Sequence, residues 1–188
     1  PGGVPHPAHV FGFHPGDDHQ LADLGQLEDY YAQLAEASPR VQRIEIGRTF
    51  RGNPMHLLFI SSEENLARLD RWREISERLA RGHGVDETEA RALAREGRTI
   101  LWIDNGLHST EVAHAQHGPL LAWYMATDES EETLRIRDDV ILLLVPQMNP
   151  DGHEVVVDWY RRNLGTEWET TSPVEVYHEY VGHDINRD

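Results

Sequence analysis

The 188-residue sequence predicts an α/β domain built on a mixed, mostly parallel twisted sheet flanked by helices. Two apolar runs carry that prediction. Residues 99–103 (Thr-Ile-Leu-Trp-Ile) and 140–145 (Val-Ile-Leu-Leu-Leu-Val) are short and unbroken, the pattern of strands buried on both faces. Around them lie segments whose apolar residues recur at helical spacing, and that alternation layers helices over a sheet. The length fits a single domain, residues 1–188, with enough chain to bury a core. No internal repeat, low-complexity tract or linker divides it.

The elements follow in order. After a Pro/Gly/His-rich entry, Asp17 with Gln20 predicts a capping box. Leu21, Leu24, Leu27, Tyr30, Tyr31 and Leu34 then mark a helix to Ala37, which Ser38-Pro39 stops. Residues 41–50 alternate as a strand, Arg51-Gly52-Asn53-Pro54 turns, and residues 55–60 return as a more buried strand, giving a hairpin. Residues 63–80 form one amphipathic helix through Leu66, Leu69, Trp72, Ile75 and Leu79, broken by Gly82-His83-Gly84. Asp86 with Glu89 caps a short helix ending near Gly97. Residues 111–126 are helical, with a kink expected at Gly118-Pro119. Residues 140–145, the most apolar run, belong at the centre of the sheet.

Composition narrows the function. A net charge of −16 offers no basic face to displace counterions from nucleic acid, and it disfavours an anionic membrane surface. No apolar stretch is long enough to cross a bilayer. Zero cysteines excludes disulfides, thiolate zinc sites and cysteine nucleophiles, without deciding between the cytoplasm and an oxidising space. All 17 basic residues are arginine, and the acidic excess reads as a solvated surface.

Three short segments carry chemistry. In Gly106-Leu107-His108-Ser109-Thr110-Glu111, His108 and Glu111 are three apart and share a face at a helix start; an imidazole nitrogen and a carboxylate oxygen suit zinc. The spacing alone is weak, because His14 with Asp17 and His83 with Asp86 match it too, and a carboxylate at a helix start also answers the helix dipole. The strand directly before His108 separates it from the other two. Asn149-Pro150-Asp151-Gly152 taken alone is a good turn. In Gly182-His183-Asp184-Ile185-Asn186-Arg187-Asp188, the planar fork of Arg187 matches a carboxylate and the Asn186 amide adds a donor. The first two segments follow the two buried strands, and α/β sheets bind ligands at the carboxyl ends of strands.

The three segments in this order, H-x-x-E, N-P-D-G and D-x-N-R, resemble the zinc metallocarboxypeptidase family (peptidase family M14), over most of the chain from the first strand to Asp188. The resemblance implies a zinc carboxypeptidase-like fold, here the N-terminal portion of the catalytic domain and incomplete on its C-terminal side. It implies one Zn2+ per complete catalytic domain, with His108 and Glu111 as ligands and Asp184 bonded to His108, fixing its tautomer. Asn186 and Arg187 become the clamp for the terminal carboxylate of a peptide substrate. An arginine after an aromatic residue steadies the oxyanion; in Trp159-Tyr160-Arg161-Arg162 that is Arg161, with Arg162 one register away. Thr110 stands where digestive members carry arginine, which removes one contact to an extended substrate, and Asp188 stands where they usually have asparagine.

In that family the third zinc ligand, a histidine, and the catalytic glutamate lie well downstream of the third segment. The expected activity is therefore that of a hydrolase removing C-terminal residues from peptides through a zinc-bound water. The 188 residues alone are expected to bind zinc weakly and to hydrolyse little, and His114, His117, His178 and His183 read as solvated or core-edge rather than as extra ligands. The alternatives are a same-fold amidase acting on cell-wall peptides and a non-catalytic carboxylate-binding domain. An uncovered edge of a buried-type strand would invite self-association.

Overall fold

A computed structural model describes residues 3–173. Its strands β1 (Val41–Arg48), β2 (Pro54–Ile60), β3 (Thr99–Asp104) and β4 (Val140–Val145) form one sheet in the order β1-β2-β4-β3. The α/β class and the mixed sheet agree with the sequence. The hairpin makes β1–β2 antiparallel, from Val41 opposite Ile60 to Arg48 opposite Pro54, with a register shift between Glu45 and Gly47. β2 meets β4 antiparallel, so parallel pairing among the described residues is confined to β3–β4, running from Thr99 opposite Val140 to Asp104 opposite Val145. β4 is central, as its apolarity requires.

β3 departs from the expectation of burial on both faces. Ile100, Leu101 and Trp102 are 39%, 48% and 50% exposed, because among the described residues β3 pairs only with β4 and helices cover little of it.

The helices are α1 (Pro7–Phe11), α2 (Leu24–Ala37), α3 (Glu63–Leu66), α4 (Leu69–Arg81), α5 (Glu87–Glu96), α6 (Ala113–Thr127), α7 (Glu131–Asp139) and α8 (Pro150–Asn163). α2 packs Leu27, Tyr30, Tyr31 and Leu34 against Leu58, Ile60, Leu142 and Leu144 of the sheet and Ala115, Ala122 and Ala126 of α6. Each fully buried leucine is worth about 1.5–3 kcal/mol, which makes this layer the main source of stability. Trp72, Ile75 and Leu93 pack with Ile141 on the opposite face.

Several boundaries differ from the sequence reading. The capping box of α2 is Asp23 with Gln26, not Asp17 with Gln20. Asp17 instead accepts from the His14 amide at 2.8 Å, whereas the Asp23–Gln26 box is reinforced from α8. The expected helix over 63–80 is divided between α3 and α4. Asn65 is buried, donating to the carbonyls of Arg137 and Asp138, and its own carbonyl accepts from the Trp72 indole at 3.0 Å. Those bonds draw the backbone off the helical path at Arg68, where φ is −123° and ψ is 23°. α6 begins at Ala113 rather than Glu111 and keeps Pro119 inside it. α7, capped by Ser130, and α8, which begins inside the predicted turn, have no counterpart in the sequence reading. Among the described residues no helix is long and apolar enough to cross a membrane.

α8 reaches the core through His153, which is 1% exposed. Its Nε2 lies 2.9 Å from the Ala22 carbonyl, so that nitrogen carries the proton and donates. Burial lowers the His153 pKa from its ordinary 6.5; Ala22 and Asp23 oppose the shift and Arg161 adds to it. The native state then binds fewer protons than the unfolded chain in mild acid. The stability contributed is fully present above pH 6.5 and falls as the pH drops below it, by up to about 1.4 kcal/mol per pH unit. Urea unfolding at pH 7.5 and 5.5 should show this loss, and His153→Gln, which keeps a donor for Ala22, should flatten it.

Candidate functional site

The parallel pairing of β3 and β4 brings their carboxyl ends side by side, and two loops leave there together. The Asn105 amide donates to the Val145 carbonyl at 3.0 Å, and the Met148 amide donates to the Asn105 carbonyl at 2.7 Å. Gly106 has φ +70°, and a Cβ there would stand 1.8 Å from Oε1 of Gln147. Only glycine tolerates both the left-handed backbone and that approach. Gln147 Oε1 accepts from the Asn149 amide at 3.1 Å, and the Asn149 side chain donates to the Leu107 carbonyl at 3.4 Å.

The segment around Asn149 is therefore more than a turn. Asn149 Oδ1 caps α8 by accepting from the Gly152 amide at 3.0 Å. A Cβ on Gly152 would lie 2.7 Å from the Ser109 hydroxyl oxygen, so the second motif presses directly on the first. Asp151 faces the other way, accepting from the Thr49 hydroxyl at 2.5 Å and the Asn53 amide group at 3.0 Å. It fixes the β1–β2 turn to α8. Alternating apolar strands gave no sequence signal for Gln147, Ser109 or this long reach of Asp151, because each acts on a partner distant along the chain.

On this base sit the two expected ligands. His108 Nδ1 lies 3.0 Å from Glu111 Oε2, with the side chains 20% and 54% exposed. Two such donors fit one ion about 2.0–2.1 Å from each, and imidazole nitrogen with carboxylate oxygen is a zinc donor set. The fit is that of two ligands: among the described residues no group of three or more histidine, cysteine or acidic side chains is arranged to hold a metal. His114 Nδ1 is 3.8 Å from the same Glu111 oxygen.

Arg161 is occupied elsewhere. In the last turn of α8, its guanidinium donates to the Asp23 carboxylate at 2.7 Å, the Leu21 carbonyl at 2.7 Å and Gln26 Oε1 at 2.9 Å. Burial pushes the Asp23 pKa up, but the Gln26 amide and the Arg161 guanidinium outweigh it, leaving the carboxyl below its ordinary 3.8. The geometry joins α8 to the start of α2 and does not bring Arg161 together with His108 and Glu111. Arg162 lines a separate groove with Arg51, Glu154 and Asp158. Asp184, Asn186 and Arg187, with His178 and His183, lie outside the described residues.

Next to the His108–Glu111 segment lies a cleft of ≈ 520 Å³. Thr110 and Val112 form part of its wall, opposite His19, Trp159 and Tyr160. His19 has φ +63°, and its ring is 3.3 Å from the Tyr160 hydroxyl. Neither His108, Glu111 nor Arg161 lines the cleft.

A family model described as zinc carboxypeptidase matches residues 27–188. Among solved structures, carboxypeptidase A from Helicoverpa armigera is similar at 15% identity and a TM-score of 0.52, over 95% of this chain and 45% of that one. Thrombin-activatable fibrinolysis inhibitor is similar at 14% identity and a TM-score of 0.50, over 79% of this chain and 31% of that one. These likenesses concern the fold, and the chain spans less than half the length of either protein. No curated protein matches significantly.

Gly106→Ala should cost about 2–4 kcal/mol, combining left-handed strain with overpacking against Gln147. Denaturant unfolding checks it; a loss within about 0.5 kcal/mol would mean that the two loops separate easily.

Proposed function

Because the chain belongs to the zinc carboxypeptidase family, we propose that it forms part of a zinc-dependent hydrolase that removes C-terminal residues from peptides. The observation that carries this reading is the 3.0 Å approach of His108 and Glu111 beside the carboxyl ends of the parallel pair β3–β4. His108 through Nδ1 and Glu111 through Oε2 would hold the ion. Zinc bound there would supply Lewis-acid polarisation of a carbonyl and a water of lowered pKa.

The chain's own residues have separable tasks. Asp184 would bond to His108 and fix its tautomer. Asn186 and Arg187 grip the free terminal carboxylate of the substrate, placing the last peptide bond at the centre. The cleft beside Thr110 receives the residues upstream of that bond; its aromatic wall of Trp159 and Tyr160 gives apolar side chains a surface to cover. Arg161 takes the oxyanion role only by exchanging its bonds with Asp23, Leu21 and Gln26, all on the partly exposed rim where α8 meets α2. The Arg161–Asp23 pair among them is half exposed, and pairs exposed to this degree contribute about 0–1 kcal/mol.

His108→Ala and Glu111→Gln should each weaken zinc binding at least about tenfold in calorimetric titration, and unchanged affinity in both would reject the assignment. Peptides with a free C-terminus should be cleaved and their amidated forms spared in the whole protein. Equal cleavage would remove Asn186 and Arg187 from the clamp and favour the amidase reading. Arg161→Gln should lower turnover with little change in stability; turnover equal to wild type would assign Arg161 to the α2–α8 junction alone.

A further inference from the structure

We infer that Gln147 is the positioning residue for the His108–Glu111 pair. The inference rests on the zinc reading above and extends it to a residue outside the three motifs. Gln147 follows β4 directly after Pro146 and is 4% exposed. Its whole amide group lies over Gly106, with Oε1, Cδ and Nε2 at 1.8, 2.5 and 2.7 Å from where a Cβ would be. That contact blocks movement of the β3 exit loop toward β4.

A second restraint runs through hydrogen bonds. Oε1 holds the Asn149 amide, and Asn149 in turn holds the Leu107 carbonyl, the residue before His108. The side chain of Gln147 thus acts on the loop from both sides, by direct packing at Gly106 and by relay at Leu107. A buried amide is costly unless bonded, and its Nε2 has no partner among the described residues. A hydrophobic side chain of similar volume would fill the same space at lower desolvation cost. What the glutamine adds is the acceptor for the Asn149 amide, and losing it loosens one restraint on Asn149 and, through its side chain, on Leu107. Residues that orient metal ligands typically change metal affinity by about 10–100-fold when removed.

The test compares Gln147→Met, which keeps volume and loses the acceptor, with Gln147→Glu, which keeps the acceptor. Ile75→Val, in the cluster on the far face of the sheet, serves as a stability control. Hydrogen exchange of the peptide spanning 105–112, without metal, is read alongside zinc affinity by calorimetry. Gln147→Met should speed that exchange about tenfold and weaken zinc binding about 10–100-fold, Gln147→Glu should recover most of both, and Ile75→Val should change neither. Unchanged exchange in Gln147→Met, or an equal change in the control, overturns the inference. Failure of the zinc reading shows separately: zinc affinity in His108→Ala would equal wild type, while the exchange data still judge Gln147 as the residue that holds the loop.

Discussion

Gln147 and Gly106 come closer than any other residue than glycine would permit, at the point where two parallel strands end together. That contact sets the constraint for the rest of the site. Parallel pairing of β3 and β4 ends with Asp104 opposite Val145, which brings Gly106 against Gln147 two residues further on, and backbone bonds from Asn105 to Val145 and from Met148 to Asn105 tie the two loops together. Gly152 yields to Ser109 in the same way. The loop bearing His108 and Glu111 is therefore packed between the end of β4 and the start of α8. Preorganised loops of this kind hold ligand groups at low entropic cost when an ion or substrate arrives.

A second junction keeps α8 in place. His153 anchors its inner side to Ala22, Asp151 ties its first turn to the β1–β2 hairpin, and Arg161 fastens its last turn to the cap of α2. Three restraints along one helix, one to the hairpin and two to the entry of α2, make α8 the brace between the hairpin, α2 and the candidate centre. The charge on Arg161 is employed structurally while its exposure leaves it reachable.

Much of this was legible in the sequence, for physical reasons that differ by element. β4 announced itself because a central strand needs apolar side chains on both faces. The hairpin was readable from its turn residues, and the approach of His108 to Glu111 from their spacing and their place after a strand. Burial of β3 was misread, since an apolar run reports what a strand can pack against and not what covers it among the described residues. The start of α2 was misplaced because two Asp-x-x-Gln patterns, at Asp17 and Asp23, look alike locally. The guanidinium of Arg161, distant along the chain, reinforces the second. The split at Ala67–Arg68, the reach of Asp151 and the wedge of Gln147 were invisible for the same reason: each depends on tertiary contacts with no local periodicity.

X-ray absorption at the zinc edge of the metal-loaded chain tests the central claim most directly, since it sees the atoms around the ion. The account predicts a nitrogen and oxygen shell near 2.0–2.1 Å with imidazole scattering that is lost or reduced in His108→Ala. An identical shell in wild type and His108→Ala would place the ion elsewhere and contradict it.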